Sequence, residues 1–431
     1  MRRTGKTCAA FRTDGKETET KLSFFREIPP EAFGPCPIVR IVDVDAVVHN
    51  YRLFRQKVSK TNTICAAVLK ADVHGAKMEL AAPALYEAGC RHFFIEEVCE
   101  GIRLRKILPY RDAKIFAMAG LLDGEEPYFA RCRIAPCLNC LEQIRRWNEF
   151  CKAHGRRSAA IHLDTHMNRI GLPDEEVDQL ARHYGEWVSD FDVAFYMSHF
   201  YDIKGDDPTH CYEQLGVLKR YLQKLPKRPV SFACTDSTIL LNNATFDFDM
   251  VRIGVGLVGG APNKAHPIDP SARGAVEIYA KTSQVKTVKK GQTIGYGGSY
   301  TAKRDMRIAL AHIGYKDGYL RSLSETDDRH VGARLWIAGY PAPVVGKISL
   351  GVTTIDVTEV PEDVLRRYHY AEVIGPNVDI KELADLSGCY ELLAALGRPN
   401  LKMADYTLEE MESIQSLSKS RSTFGESAGR S

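Results

Sequence analysis

The stretch Thr63-Ile64-Cys65-Ala66-Ala67-Val68-Leu69-Lys70-Ala71-Asp72-Val73-His74-Gly75 passes from an unbroken apolar run to a lysine and then to a polar turn. A run without polar alternation, bounded by turn residues, predicts a strand buried on both faces, as in a parallel sheet. Lysine is almost never fully buried, so Lys70 at the end of such a strand invites a chemical reading. A desolvated amine loses proton affinity and can attack a carbonyl, which makes Lys70 a candidate Schiff-base former for a cofactor such as pyridoxal phosphate. The alternative is a lysine at a barrel rim that lifts its charge into water.

Working outward, short apolar runs recur at Thr63–Leu69, His92–Ile95, Lys114–Ala117, Arg133–Pro136, Ala159–Leu163, Asp192–Met197, Val230–Ala233 and Asp249–Ile253. Most are followed by helical periodicity, for example over Leu141–His154 and Tyr212–Leu225. Strands alternating with helices predict an α/β protein, and this count predicts a (β/α)8 TIM barrel. Chemistry in such barrels sits at the C-terminal strand ends. Just past the runs stand Lys70, Glu96, His162 with Asp164, His199, Asp236 with Ser237, and Arg252. Strand ends are polar by default, so each residue alone is also a rim group satisfied by water.

From about Gly274 the pattern changes to alternating strands with tight turns, over Ala275–Val288, Thr293–Tyr296, Ile308–Ile313, Ala333–Ile337, Val344–Ile348 and Gly351–Val357. These predict a mainly antiparallel β domain. Short helices are expected at Ile380–Leu386 and Tyr390–Leu396. The domain organisation is therefore an N-terminal extension over 1–36 expected to be poorly ordered, a barrel over 37–272, a β domain over 273–412 and a disordered tail over 413–431. The first strand, at 37–44, is a candidate to pair with the β domain.

The 431 residues are 44% hydrophobic and 26% charged, with 58 basic against 55 acidic residues for a net charge of +3. Charges are well mixed, so no electrostatic footprint for nucleic acid or a membrane surface appears and small molecules are the expected ligands. Twelve cysteines lack framework spacing, and some, such as Cys65 and Cys234, lie in apolar runs, which points to a reducing compartment. The first 35 residues hold no apolar stretch of signal-peptide length, nowhere do 18 apolar residues run together, and a soluble cytoplasmic protein is expected. Gly254-Val255-Gly256-Leu257-Val258-Gly259 spells a dinucleotide fingerprint, but no helix is expected after it, which argues against a Rossmann reading. Cys137-Leu138-Asn139-Cys140 has no second pair at zinc-site spacing, so these cysteines are expected in a turn and no metal is expected.

Seven motifs occur together in order: Leu69-Lys70-Ala71-Asp72, Asp164-Thr165-His166-Met167-Asn168-Arg169-Ile170-Gly171, Ser198-His199-Phe200, Met250-Val251-Arg252-Ile253-Gly254, Gly295-Tyr296-Gly297, Gly314-Tyr315-Lys316-Asp317-Gly318-Tyr319 and Tyr390-Glu391. In these the chain resembles, over roughly residues 37–406, the alanine racemase family of fold type III pyridoxal-phosphate enzymes. The resemblance implies racemisation of alanine or a related amino acid, with Lys70 holding pyridoxal 5'-phosphate and serving as one base. It implies Tyr296 as the other base, acting with Tyr315 on the partner subunit's cofactor in a homodimer with shared sites. By the same match Arg252 faces the pyridine nitrogen, and a guanidinium keeps its proton, so that nitrogen stays unprotonated and the electron sink is weakened. Ser237, Gly254, Val255 and Tyr390 would cradle the phosphate, with His74 also within reach of it. His199 would pack near the ring, and Arg169 would approach cofactor and substrate and lower the phenol pKa of Tyr296.

Four positions depart from the family pattern. His74 replaces a tyrosine, His166 a glycine, and His162 a lysine that is often carbamylated. Leu350-Gly351 replaces a Met-Asp pair near the substrate carboxylate. The loss of a carboxylate opens volume, so an altered substrate pocket lined by Leu350 and Gly351 is expected. Two alternatives stand beside the racemase: a fold type III decarboxylase, whose late Cys-Asp pair is here Cys389-Tyr390, and a cofactor-binding protein with reduced catalysis. Retention of both Lys70 and Tyr296 argues against the latter.

Overall fold

The structure is a computed structural model that describes residues 35–58, 62–203, 207–241, 243–260, 271–378, 380–389, 395–396, 403–408 and 410. The predicted helix at Tyr390–Leu396 lies largely outside the described residues, as do the N-terminal extension almost entirely and the C-terminal tail. The chain divides into two compact units: one of residues Val42–Val276 and Ile380–Pro399, the other of Met1–Ile41, Glu277–Asp379 and Asn400–Ser431.

Strand β1, Ile38–Val42, belongs to the second unit's sheet, and the first unit is the barrel. Its strands are β2 (Ile64–Val68), β3 (His92–Ile95), β4 (Lys114–Ala117), β5 (Ile134–Leu138), β6 (Ser158–His162), β7 (Asp192–Met197), β8 (Val230–Cys234) and β9 (Met250–Ile253). They form a closed parallel barrel in chain order, with Ile64–Ala67 of β2 paired to Met250–Ile253 of β9. The predicted eight-stranded barrel is thus the observed one. Its apolar strands form because both faces are buried, outward against helices such as Leu141–His154 and inward against each other.

The barrel interior is filled by side chains. Phe94, Phe116 and Phe195 meet with ring centroids 5.2, 4.9 and 6.0 Å apart, surrounded by Val68, Met197 and Met250. Each such ring contributes roughly 1.5–3 kcal/mol by burial, and each pair about 0.5–1.5 kcal/mol through its geometry. This plug separates an upper mouth, at the C-terminal strand ends, from a lower mouth at the N-terminal ends.

One barrel strand is displaced from its expected place. Arg133 has φ +53° and caps the helix Glu126–Cys132, so β5 begins at Ile134 and runs to Leu138. Cys137 is consequently a buried strand residue and not part of a turn, while Cys140 precedes the helix Leu141–His154. The glycine-rich run at 254–259 forms only a 3-10 turn, Val255–Val258.

The second unit is antiparallel in the part that follows the barrel. Its further strands are β10 (Val276–Val288), β11 (Thr293–Ile294), β12 (Tyr300–Thr301), β13 (Met306–Ala311), β14 (Arg334–Ile337), β15 (Tyr340–Pro343), β16 (Thr353–Asp356), β17 (Tyr370–Ile374) and β18 (Met403–Thr407). The main sheet runs β15-β14-β17-β10-β1-β18, with β13 pairing β10 and β16, and β11 and β12 form a separate ribbon. The strand expected at Val344–Ile348 is not formed. Ala338 and Gly339, at φ +51° and +84°, make a two-residue hairpin turn, so pairing resumes at once from Tyr340. Two prolines, Pro341 and Pro343, hide this strand from a sequence reading and are tolerated because β15 is an edge. Among the described residues no helix is long and apolar enough to cross a membrane.

Candidate active site

The upper mouth opens on a cavity of about 360 Å³ whose lining includes Lys70, His74, Arg169, His199, Arg252 and Gly254. Lys70 stands two residues past β2, and its Nζ lies 3.2 Å from a carboxylate oxygen of Glu96, which directly follows β3. Both side chains are partly exposed, at 30% and 46%, so this pair orients the amine more than it stabilises the fold.

The turn after Lys70 is wound the wrong way. Ala71, Asp72, Val73 and His74 all have φ between +49° and +59°, a left-handed turn that ends at Gly75. L-residues resist this conformation by about 1–2 kcal/mol each, so the surroundings must hold it. Asp72 does so from within: one carboxylate oxygen accepts the Met78 amide at 2.9 Å and pairs with Arg103 at 2.9 Å. Glu100 braces the outside, accepting the amides of Ala71 at 3.1 Å and Glu96 at 2.7 Å. The carboxylates thereby tie the lysine turn to the Glu96 strand end.

Arg252, on β9, is buried and has no carboxylate partner among the described residues; it donates to Ser231 Oγ at 2.6 Å and to the Ser198 carbonyl at 2.7 Å. Burial pushes its pKa down. The Arg252 guanidinium lies 5.9 Å from the Phe94 ring centre. His199 is pushed well below the ordinary histidine value by burial, with Arg252 and Arg169 adding to the effect. Its buried Nδ1 has no hydrogen-bond partner among the described residues.

His162 shares the cavity and its Nδ1 lies 2.9 Å from Asn139 Oδ1. Asn139 uses its amide nitrogen to donate to the Met118 carbonyl at 3.1 Å, so its oxygen is the acceptor and His162 Nδ1 carries the proton. Burial, then Arg252 and Arg169, lower the His162 pKa to about 3. The ring is neutral, with a lone pair on Nε2, and offers Arg169 no charge attraction. Nothing local in the sequence signals the Asn139 partnership, which spans 23 residues.

Beyond β9, Val255 opens a 3-10 turn, and the amides that open a turn have no acceptor within it. A Cβ on Gly254 would lie 3.3 Å from His74 Nε2 and 3.6 Å from Val68 Cβ, so glycine keeps this corner open. The Gly254 amide donates to Thr235 Oγ1 at 3.1 Å. Ser237 does not line the cavity; its hydroxyl accepts the Cys234 amide at 2.8 Å and caps the helix Thr235–Leu240. Cys234, Thr235, Met118, Tyr201 and Asp202 also line the cavity and were not singled out as site residues from the sequence. Tyr390 lies outside the described residues. His166 is exposed and 3.3 Å from Asp174.

The remaining sequence-predicted residues lie in the β unit. Tyr296 stands in a turn flanked by Gly295, Gly297 and Gly298, all at positive φ, and is 69% exposed. The Tyr315 and Lys316 amides donate to the Ser349 and Leu350 carbonyls at 3.1 and 3.0 Å. A Cβ on Gly314 would come within 2.4 and 2.5 Å of those same carbonyl oxygens, so this close approach requires glycine. The Lys347 amide donates to Ser299 Oγ at 3.1 Å, which brings the Tyr296 turn beside the same segment. Tyr296, Tyr315 and Leu350 are each exposed on this unit.

Pyridoxal phosphate fits the upper cavity on these observations: its volume suits a small cofactor, its lining includes His199, whose buried Nδ1 has no hydrogen-bond partner among the described residues, and a strand-end lysine reaches it. The comparisons with known proteins agree with this architecture. Residues 42–262 match the family model of the alanine racemase N-terminal domain, and residues 275–402 that of the C-terminal domain. Alanine racemase of Brucella abortus is 36% identical over 375 residues, covering 83% of this chain and 90% of the relative. A catabolic alanine racemase of Agrobacterium fabrum is 34% identical over 364 residues, covering 83% and 89%. The crystal structure of alanine racemase from Bartonella henselae with covalently bound pyridoxal phosphate is 29% identical, with a TM-score of 0.76 over 87% of this chain and all of that one. With both domain models matched in order and more than four-fifths of the chain aligned to these relatives, this protein belongs to the alanine racemase family.

Proposed function

We propose that this chain interconverts the L and D forms of alanine as a pyridoxal-phosphate-dependent racemase, using Lys70 and the partner subunit's Tyr296 as the two proton-handling groups. The grouping of Lys70, Arg169, His199, Arg252 and the Gly254–Val255 corner on one cavity supports this reading most strongly. Pyridoxal phosphate, when bound through Lys70, supplies the electron sink that makes an amino-acid Cα acidic.

The chain's own residues do the rest. Lys70 holds and moves a proton at one face of Cα, its amine steadied by Glu96. Arg252 offers donors alone and keeps its proton, so a ring nitrogen facing it stays unprotonated. A weakened sink disfavours side reactions and suits simple proton removal and return. His74 and the Val255 amide hold the phosphate, with Gly254 leaving it room, and Tyr390 adds its hydroxyl. Arg169 binds the substrate carboxylate and draws the partner's phenol toward its ionised form. The exposure of Tyr296 fits a group that works on a neighbouring chain, and Tyr315, Leu350 and Gly351 line the substrate side there. Without a carboxylate at 351, the pocket accepts amino acids larger than alanine as secondary substrates, and Gly351→Asp narrows that range.

Subunit mixing tests the shared site. Lys70→Ala and Tyr296→Phe proteins are each expected to lose about 10²–10⁴-fold in rate. Equal mixing, with exchange of subunits, is expected to restore about a quarter of native activity, because each hybrid dimer rebuilds one intact site. No restoration would mean that Tyr296 serves its own chain or no site. Run in deuterated water, the reaction must place deuterium at Cα of alanine with its carboxyl retained; released carbon dioxide identifies a decarboxylase, and neither outcome leaves only a cofactor carrier.

A further inference from the structure

The lower mouth of the barrel, remote from the site just described, holds a larger cavity of about 600 Å³. Its lining carries six cationic side chains, Arg105, Arg111, Lys114, Arg133, Arg156 and Arg157. The floor is apolar, made by Ile64, Phe116, Phe195 and Met250, with the His92 ring stacked nearly parallel to Phe116 at 6.3 Å and 3°.

Five of the six cations have no acidic partner among the described residues. Arg105 donates to the backbone carbonyls of Cys132, Leu108, Tyr110, Ala113 and Arg133 at 2.8–3.0 Å, which locks its guanidinium in place and leaves its charge uncompensated. Arg133 donates to the Pro109 carbonyl, and Arg157 to those of His154 and Gly155. The side chains of Arg111 and Lys114 make no hydrogen bond or ion pair among the described residues. Arg156 alone is paired, with Asp192 at 2.7 Å, and the one carboxylate in the lining, Asp249, accepts the Val230 amide. Lys114 starts β4, Arg133 precedes β5 and Arg157 precedes β6, so the charge lies along three consecutive strands.

We propose that this cavity binds a small phosphorylated molecule with a flat apolar body, of nucleoside-monophosphate size. Arg111, Lys114, Arg133 and Arg157 hold the phosphate, Arg105 supplies a fixed field, and the body lies on the His92 and Phe116 floor. Guanidinium forks match phosphate oxygens, and such charge-assisted bonds strengthen in a partly desolvated cavity. A volume of this order lies within the range of small-molecule sites and is too confined for a folded macromolecule.

The test uses the full chain loaded with its cofactor and titrates adenosine 5'-monophosphate by calorimetry, with adenosine and inorganic phosphate as separate arms. One mole of the nucleotide per chain is expected to bind, each fragment at least about tenfold more weakly. Charge reversal at Arg111→Glu and Lys114→Glu together is expected to weaken nucleotide binding by at least about tenfold while racemase turnover stays native. Native turnover also shows that the reversed protein is folded. No binding of the nucleotide, or equal binding by the reversed protein, overturns the site. Binding of inorganic phosphate as tight as that of the nucleotide overturns the flat-bodied class of ligand.

Discussion

The two mouths of the barrel are built from the same eight strands and both are rich in cations, yet they handle charge in opposite ways. At the upper mouth three of the ionisable groups are set by specific neighbours: Lys70 by Glu96, His162 by Asn139, and Arg252 by a serine and a carbonyl. Burial, with Arg252 and Arg169 adding to it, lowers the pKa of His162 and His199. At the lower mouth the guanidiniums are held by backbone carbonyls, which fix position without cancelling charge. The upper arrangement prepares proton transfer at one carbon, and the lower one attracts an anion. A ring column joins them, since His92 stacks on Phe116, Phe116 on Phe94, and Arg252 lies over Phe94.

The largest effect that separates the mouths is Lys70→Ala. Turnover is expected to fall by about 10²–10⁴-fold, with nucleotide binding at the lower mouth unchanged in calorimetry; a parallel loss of both would join the sites into one. Next is Asp72→Ala, which frees the left-handed turn and leaves the Met78 amide without its acceptor. A stability loss of about 1–3 kcal/mol is expected in urea titrations, with a further drop in turnover as Lys70 loses its aim. Unchanged stability would mean the turn holds itself.

A pH series sharpens the contrast. The folded His162 value of about 3 lies below the ordinary 6.5, so below 6.5 the unfolded chain takes up a proton that the native one refuses. The stability tied to this site is therefore complete above 6.5, is lost progressively as pH falls, and is gone near 3. Denaturant midpoints of the native protein should fall more steeply over this window than those of His162→Gln, and parallel curves would refute the neutral assignment. The smallest effect is at the lower mouth. Burial and then Lys114 hold His92 down at about 4, so Lys114→Ala should raise the His92 titration midpoint modestly in proton NMR, burial remaining the main cause.

Much of this site was legible before any coordinates. Lys70, Arg169, His199 and Arg252 carry their signal in strand-end position and motif, and the structure brings all four to one cavity. Asn139 and Glu100 were not legible, because their roles rest on bonds to His162 and to the Lys70 turn across long stretches of chain. Strand β17 was missed although every residue of it is buried, and β15 was hidden by its prolines.

The sequence alone determined the barrel, since an apolar run that cannot alternate must be buried on both faces, and eight such runs with helices between them close most simply on themselves. It also placed chemistry at the strand ends. Only the tertiary structure decided the left-handed turn after Lys70, the neutral state of His162 and the uncompensated charge below. Each depends on which distant atoms supply a hydrogen bond and how much water they exclude, and neither quantity is a property of neighbours in sequence.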